Sequence, residues 1–273
     1  MMTKNIIVTG CAGFIGFSLC QKLLKEKKNK IIGIDILNNY YDVKLKKQRL
    51  KILANYKNFV FKKIDVCHYS QLSKILDKKI SAIYHFAAQA GVQFSIKSPK
   101  KYMDSNMVGF FNILELSKIF GIKKIFYASS SSVYGDSKKF PVKENFILKP
   151  KNFYGLTKKT NEEMAEIFAN YYNIKIIGLR FFTVYGPWGR PDMALYKFVD
   201  NICNDKTIEL FNNGDHVRDF TYVDDIINGI SSSIKFNFKD YLNKDLKITK
   251  KVPSIVVNLG SGRNTTLMNF VKL

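Results

Sequence analysis

The sequence predicts an α/β fold: a parallel sheet doubly wound by helices on both faces, followed by a smaller, incomplete C-terminal lobe. Two observations carry this reading. Short apolar, β-branched runs alternate with stretches of helical character from the N-terminus to about Leu179. A glycine-rich turn also sits directly between the first of those runs and the first helix.

Taken in order, Ile6–Val8 reads as a strand and Phe14–Lys25 as the helix after it. Ile31–Ile34, Val60–Ile64 and Ala82–Phe86 read as further strands. Pro99–Phe120 reads as one long helix, with Pro99 suited to its first turn and Gly121 to its end. Strand Lys124–Ala128, helix Asn152–Tyr171 and strand Ile174–Leu179 follow. After Arg180 the rhythm changes. "FFTVYGPWGRPDMA" reads as a loop and Ala194–Cys203 as a helix. Short strands are expected within "IELFNNGDHVRDFTYV", with Asn213-Gly214 as a turn, and Lys235–Lys251 reads as an exposed insertion. The final "TTLMNFVKL" reads as the opening of a helix. The division expected is residues 1–180 for the wound sheet and 181–273 for the second lobe, interleaved with the first.

Composition narrows the function. The 273 residues, 46% hydrophobic, are long enough for a core without disulfides. The four cysteines form no CxxC pair, so neither a metal site nor a disulfide framework is expected, and a reducing cytoplasm fits. A net charge of +22 raises nucleic-acid binding as a hypothesis. The lysines are scattered, however, as at Lys27-Lys28, Lys46-Lys47 and Lys138-Lys139, which is the pattern of a solvated surface. No nucleic-acid partner is expected. No apolar run approaches the ~20 residues that span a bilayer, so no membrane association is expected either.

"Thr9-Gly10-Cys11-Ala12-Gly13-Phe14-Ile15-Gly16" is the chemistry-bearing turn. Glycines there let backbone N–H groups approach a pyrophosphate at the helix N-terminus. Asp35 ends the second strand, where an acid accepts from adenosine ribose hydroxyls and disfavours a 2′-phosphate, so NAD is expected over NADP. Further on, Tyr154 and Lys158 are one helical turn apart, the spacing at which a phenol and an ammonium become neighbours. Such a cation would draw the phenol, ordinarily at a pKa of about 10, toward its anion.

These motifs resemble those of the extended short-chain dehydrogenases/reductases, whose Tyr-x-x-x-Lys is matched by Tyr154 to Lys158. "HFAAQAGVQFSI", "DSNMVGFFNILE", "ASSSSVYG", "LRFFTVYGPWGRPDMALYKF" and "RDFTYVDDI" narrow the resemblance to nucleotide-sugar enzymes, and most closely to UDP-glucuronate 4-epimerases. It covers essentially the whole chain. It implies a Rossmann domain that binds NAD and a UDP-sugar-binding lobe. Gly10, Gly13, Phe14, Ile15, Gly16, Asp35, Asn38, Asp65, Val66, Ala87, Ala88, Gln89, Asn106, Ser129, Tyr154 and Lys158 would touch NAD. Tyr154, Lys158 and Ser130 would be catalytic. Ser130, Ser131, Ser132, Thr183 and Arg190 would surround the sugar and its carboxylate, and Arg218 would contact the pyrophosphate.

The implied reaction is inversion at C4 of UDP-glucuronate through a 4-keto sugar. A decarboxylase, another UDP-sugar 4-epimerase or an inactive NAD-binding protein are the alternatives. Decarboxylases and dehydratases of this fold place a carboxylate where this chain has Ser132, which favours the epimerase. The resemblance also implies a homodimer through the helices at Pro99–Phe120 and Asn152–Tyr171. Relatives continue past the position of Leu273, so a shortened substrate lobe is expected.

Overall fold

The computed structural model describes residues 4–137, 139–208, 210, 217–233 and 254–272. The Asn213-Gly214 turn and the Lys235–Lys251 insertion lie outside the described residues.

Seven strands form one parallel sheet. They are β1 (Lys4–Thr9), β2 (Asn29–Asp35), β3 (Phe59–Lys63), β4 (Ile80–His85), β5 (Lys124–Ser130), β6 (Lys175–Phe181) and, last in the chain, β10 (Ser254–Leu259). Their spatial order is β3-β2-β1-β4-β5-β6-β10. The order reverses between β1 and β4, and in such sheets ligands bind at that reversal, beyond the carboxyl ends of the strands. The strands were legible because parallel strands covered on both faces are near-continuous apolar runs. Ile7, Val8, Ile31, Ile34, Ile83, Ile125 and Ile176 are all fully buried.

Helices α1 (Phe14–Leu24) and α9 (Val223–Ser233) cover one face, where Phe17, Leu19, Leu23, Ile226 and Ile230 join the strand side chains. On the other face, α3 (Tyr69–Ser73), α6 (Gly109–Ile119) and α7 (Phe153–Tyr172) bury Leu72, Ile113, Leu116, Phe110, Ala165 and Ala169. Asn152 caps α7, its side-chain oxygen accepting from the Gly155 N–H at 2.8 Å, and Asn173 ends it in the left-handed conformation.

The structure differs from the sequence reading in three places. Pro99–Phe120 is not one regular α-helix: α5 (Pro99–Tyr102) passes into a π-helical turn, Met103–Val108, before α6. Widening the turn frees the Asn106 carbonyl, which accepts from Asn161 of α7 at 2.8 Å. Second, α2 (Val43–Ala54) occupies a stretch the apolar pattern had passed over. Its buried residues are Lys46, Arg49 and Leu53, so its inward face is largely charged and carries no apolar stripe. Third, "FFTVYG" is not all loop, since β7 (Thr183–Tyr185) pairs with β9 (Phe220–Tyr222). Two short helices, α4 (Val92–Lys97) and α8 (Ala194–Cys203), and the pairing of β8 (Val217–Arg218) with β11 (Thr265–Thr266) complete the described structure. No helix among the described residues is long and apolar enough to cross a membrane.

Candidate functional site

A cleft runs along the carboxyl ends of β1, β2, β4, β5 and β6. Its first wall is the glycine turn. Gly10 has φ +71°, and a Cβ there would come within 2.8 Å of the Phe86 carbonyl oxygen and the Ala87 nitrogen. A Cβ on Gly16 would run into the Gly10 carbonyl oxygen. Only glycine lets strand end, turn and helix approach this closely. The start of α1 has no side-chain cap, so its first-turn N–H groups face the cleft free for an anion. Asp35 stands beside them, its carboxylate accepting from the Ala12 N–H at 3.1 Å and the Leu37 N–H at 2.8 Å. Burial pushes its carboxyl above the usual range, against those two N–H groups and the charges of Lys46 and Arg49. This arrangement fits the adenosine and pyrophosphate of NAD: a close-packed turn, free donors and an acidic acceptor.

Of the residues expected at the cofactor, Gly10, Gly13, Phe14, Ile15, Gly16, Asp35, Asn38, Asp65, Val66, Ala87, Ala88, Gln89, Ser129, Tyr154 and Lys158 line this one cleft. Asn106 stands behind the wall. It is buried, accepts from the Gln89 N–H at 2.7 Å and donates to the Gln89 carbonyl and the Thr157 hydroxyl at 3.1 Å, so it fixes Gln89.

The far end is built by β5, α7 and the segment after β7. Ser130 and Tyr154 both line this end, where the serine hydroxyl favours the Tyr154 phenolate. The Ser130 hydroxyl also accepts from the Ser132 N–H at 3.2 Å, capping the 3-10 turn Ser131–Tyr134. The Lys158 ammonium donates to the Ala128 carbonyl at 2.8 Å and lies 6.0 Å from the centre of the Tyr154 ring. Burial lowers it to about 8, with Glu162 opposing. Burial raises the Tyr154 phenol above its ordinary value, while the Ser130 hydroxyl and the charge of Arg190 pull it down. The net direction is thus the reverse of the expected one: burial outweighs the neighbouring groups that favour the phenolate.

Behind this end lies a buried polar network. Arg180 grips Glu162 with two parallel bonds, Nε to Oε1 at 2.9 Å and Nη2 to Oε2 at 2.7 Å. Ser129 donates to the same carboxylate, and Arg180 reaches the Tyr134 hydroxyl at 2.7 Å. Tyr134 in turn donates to Asn258 on β10 at 2.6 Å. Every member is satisfied, the condition under which a buried ion pair gives a rigid wall.

The sugar-side expectations divide. Ser130 and Arg190 line the cleft, whereas Ser131, Ser132 and Thr183 are half-buried beside it. Arg218 is exposed on β8, its guanidinium donating to the Val217 carbonyl at 2.9 Å, and is not brought to the cleft. Arg190 is paired with Asp192, and Tyr40 donates to the same carboxylate at 3.1 Å. Sequence reasoning missed Asp192, Tyr40 and Lys46. Lys46 is buried and donates to Asn38 through both its carbonyl (2.7 Å) and side-chain oxygen (2.6 Å). Only its place three residues before Arg49 on one helix face could have marked it.

Known proteins resemble this chain over nearly all of its length. It is 47% identical over 275 residues to Protein CapI of Staphylococcus aureus, covering 98% of this chain and 81% of that protein. It is 41% identical over 267 residues to a UDP-glucuronate 4-epimerase of Thermodesulfobacterium geofontis, covering 96% of this chain and 77% of that protein. Among solved structures, UDP-glucuronic acid 4-epimerase from Bacillus cereus in complex with UDP-glucuronic acid and NAD superposes with a TM-score of 0.87 at 33% identity, covering 98% of this chain and 81% of that one. The family model for NAD-dependent epimerases and dehydratases matches residues 6–246. With a cleft shaped for its cofactor, NAD, this chain belongs to the NAD-dependent epimerase/dehydratase family.

Proposed function

We propose that this chain interconverts UDP-glucuronate and UDP-galacturonate by inversion at C4. The observation that carries the reading is the meeting of Tyr154, Ser130 and Lys158 at the end of the cleft away from the glycine turn, in a chain 41% identical to a protein named for that reaction. NAD, when bound, supplies the acceptance and return of a hydride at C4 and a positive ring that favours the Tyr154 phenolate.

The residues do the rest. Tyr154 takes the proton from the 4-hydroxyl, with Ser130 aligning that hydroxyl. The resulting 4-keto sugar turns over while its UDP part stays anchored, and Tyr154 returns the proton to the new C4 oxygen. Lys158, fixed on the Ala128 carbonyl, orients the ribose on the nicotinamide side. Binding energy from the UDP moiety, far from the reacting carbon, keeps the ketone from escaping. Neutral Ser131 and Ser132 hold the C6 carboxylate and do not assist its loss.

A second reading, a 4-epimerase of neutral UDP-hexoses, is favoured by the Arg190–Asp192 pair, which leaves that guanidinium little free charge for a carboxylate. Incubation with UDP-glucuronate and with UDP-glucose in D₂O, read by NMR, tests both. UDP-galacturonate without deuterium at C5 and without UDP-pentose is expected. UDP-xylose as the main product would move the assignment to a decarboxylase, and conversion of UDP-glucose alone would establish the second reading. We also propose a homodimer through α6 and α7, whose outward Phe111, Ile119, Leu156 and Ile167 are exposed. A monomer in light scattering would refute it.

A further inference from the structure

Arg49 is fully buried on α2, yet its hydrogen bonds all go to neutral oxygens. Nη1 donates to the Ala12 carbonyl and the Tyr41 hydroxyl, both at 2.8 Å. Nη2 donates to the carbonyls of Trp188 at 2.5 Å and Gly189 at 3.1 Å. Its Nε is buried with no partner among the described residues. A buried cation that keeps an unmet donor is costly, and core packing alone would be served better by an apolar side chain.

The two ends of the fork touch two different parts of the cleft. Ala12 lies inside the glycine turn, between Gly10 and Gly13. Trp188 and Gly189 immediately precede Arg190. Trp188 sits at φ +62°, a left-handed conformation that is strained for a bulky side chain and persists only where its surroundings hold it. The Arg49 bond to its carbonyl is one such restraint, and the edge contact with Phe17 of α1, at 5.7 Å between ring centres, is another. Both restraints come from the elements that build the nucleotide wall.

We propose that Arg49 is a positioning residue that locks the Trp188–Arg190 segment onto the glycine turn, so that the nucleotide and sugar sides of the cleft are held in register by one planar group. This rests on the reading of Arg190 as part of the sugar side. A guanidinium can bridge two places because its donors are fixed in a rigid fork. A lysine, a single point charge, can serve one place or the other.

The test uses the purified holoenzyme and its Arg49→Lys variant. Amide hydrogen exchange is followed in peptides covering residues 10–16 and 186–190, alongside acrylamide quenching of the chain's single tryptophan, Trp188. In the variant, exchange in both segments should rise by about tenfold, the scale of one lost charge-assisted hydrogen bond, and quenching of Trp188 should increase, while β5 and α6 stay protected. An effect confined to one segment, a uniform rise along the chain, or unchanged Trp188 quenching would each overturn the proposal. If the lysine variant does not accumulate as folded protein, Tyr41→Phe, which removes one acceptor from the same fork, carries the test. It should move the same two segments by a smaller amount, and no response in either would overturn the proposal. Neither readout uses turnover, so a wild type that forms no product from UDP-glucuronate would refute the substrate reading and leave this result standing.

Discussion

The two ends of the cleft are made of different materials. The nucleotide end is backbone: a glycine turn, an uncapped helix start and the close approach of strand ends, with one carboxylate, Asp35, beside them. The sugar end is side chain: Tyr154 against Ser130, Arg190 against Asp192, Tyr40 on the same carboxylate, all placed by helix and loop. A backbone site is specified by a short contiguous string of residues. A side-chain site is specified by partners far apart in the chain, and each partner can change the charge another presents. The contrast predicts that the first end fails all at once and that the second can be tuned.

The largest expected effect is at the sugar end. Tyr154→Phe removes only the oxygen that moves the proton. Turnover should fall by about a thousandfold or more with NAD still bound, as measured by product formation and by nucleotide released on denaturation. Near wild-type turnover would break the assignment. Gly16→Ala should come next. The added methyl meets the Gly10 carbonyl oxygen, which is backbone and cannot step aside. Bound NAD should drop by about a hundredfold, and retention at the wild-type level would show the turn to be adaptable after all.

Asp192→Asn is the tuning experiment. It frees the Arg190 charge without removing the group that holds Tyr40. The preference for UDP-glucuronate over UDP-glucose should rise by about tenfold in kcat/KM, the scale of one charge-assisted bond. A change equal for both sugars would place Arg190 outside carboxylate recognition.

The smallest effect concerns Lys158. Its folded pKa, about 8, lies below the ordinary lysine value of 10.5. Between those values the unfolded chain binds the additional proton, so this group makes stability rise with pH from about 8 to about 10.5. The wild type should therefore gain urea resistance over Lys158→Met on going from pH 7.5 to 9.5. An identical difference at both pH values would show that the ammonium is solvated.

Much of the nucleotide end was legible because its signals are local. Strand, glycine turn and Asp35 follow one another within a single βαβ unit, and each keeps its meaning when read alone. Helix α2 was not legible, since Lys46 and Arg49 face inward and invert the rule by which amphipathic helices are found. Strand β10 escaped notice because an apolar run after a lysine-rich stretch looks like a tail, whereas it pairs in parallel with β6. The Tyr154–Lys158 spacing placed both groups correctly in the cleft, but spacing cannot show burial. Burial is what raises the phenol, outweighing the groups around it that favour its anion.

The Asn258 side chain closes the network that runs through Tyr134 and Arg180 to Glu162 and Ser129. The wall behind Ser130 is thus assembled from positions as early as Ser129 and as late as Asn258. On a ribosome the glycine turn can be built as soon as the first strands emerge. The network behind Ser130 is complete only when Asn258 joins Tyr134, after more than a hundred further residues have been made. The glycine turn is therefore encoded well before the last partner of the wall behind Ser130, so a half-made chain carries the first without the second.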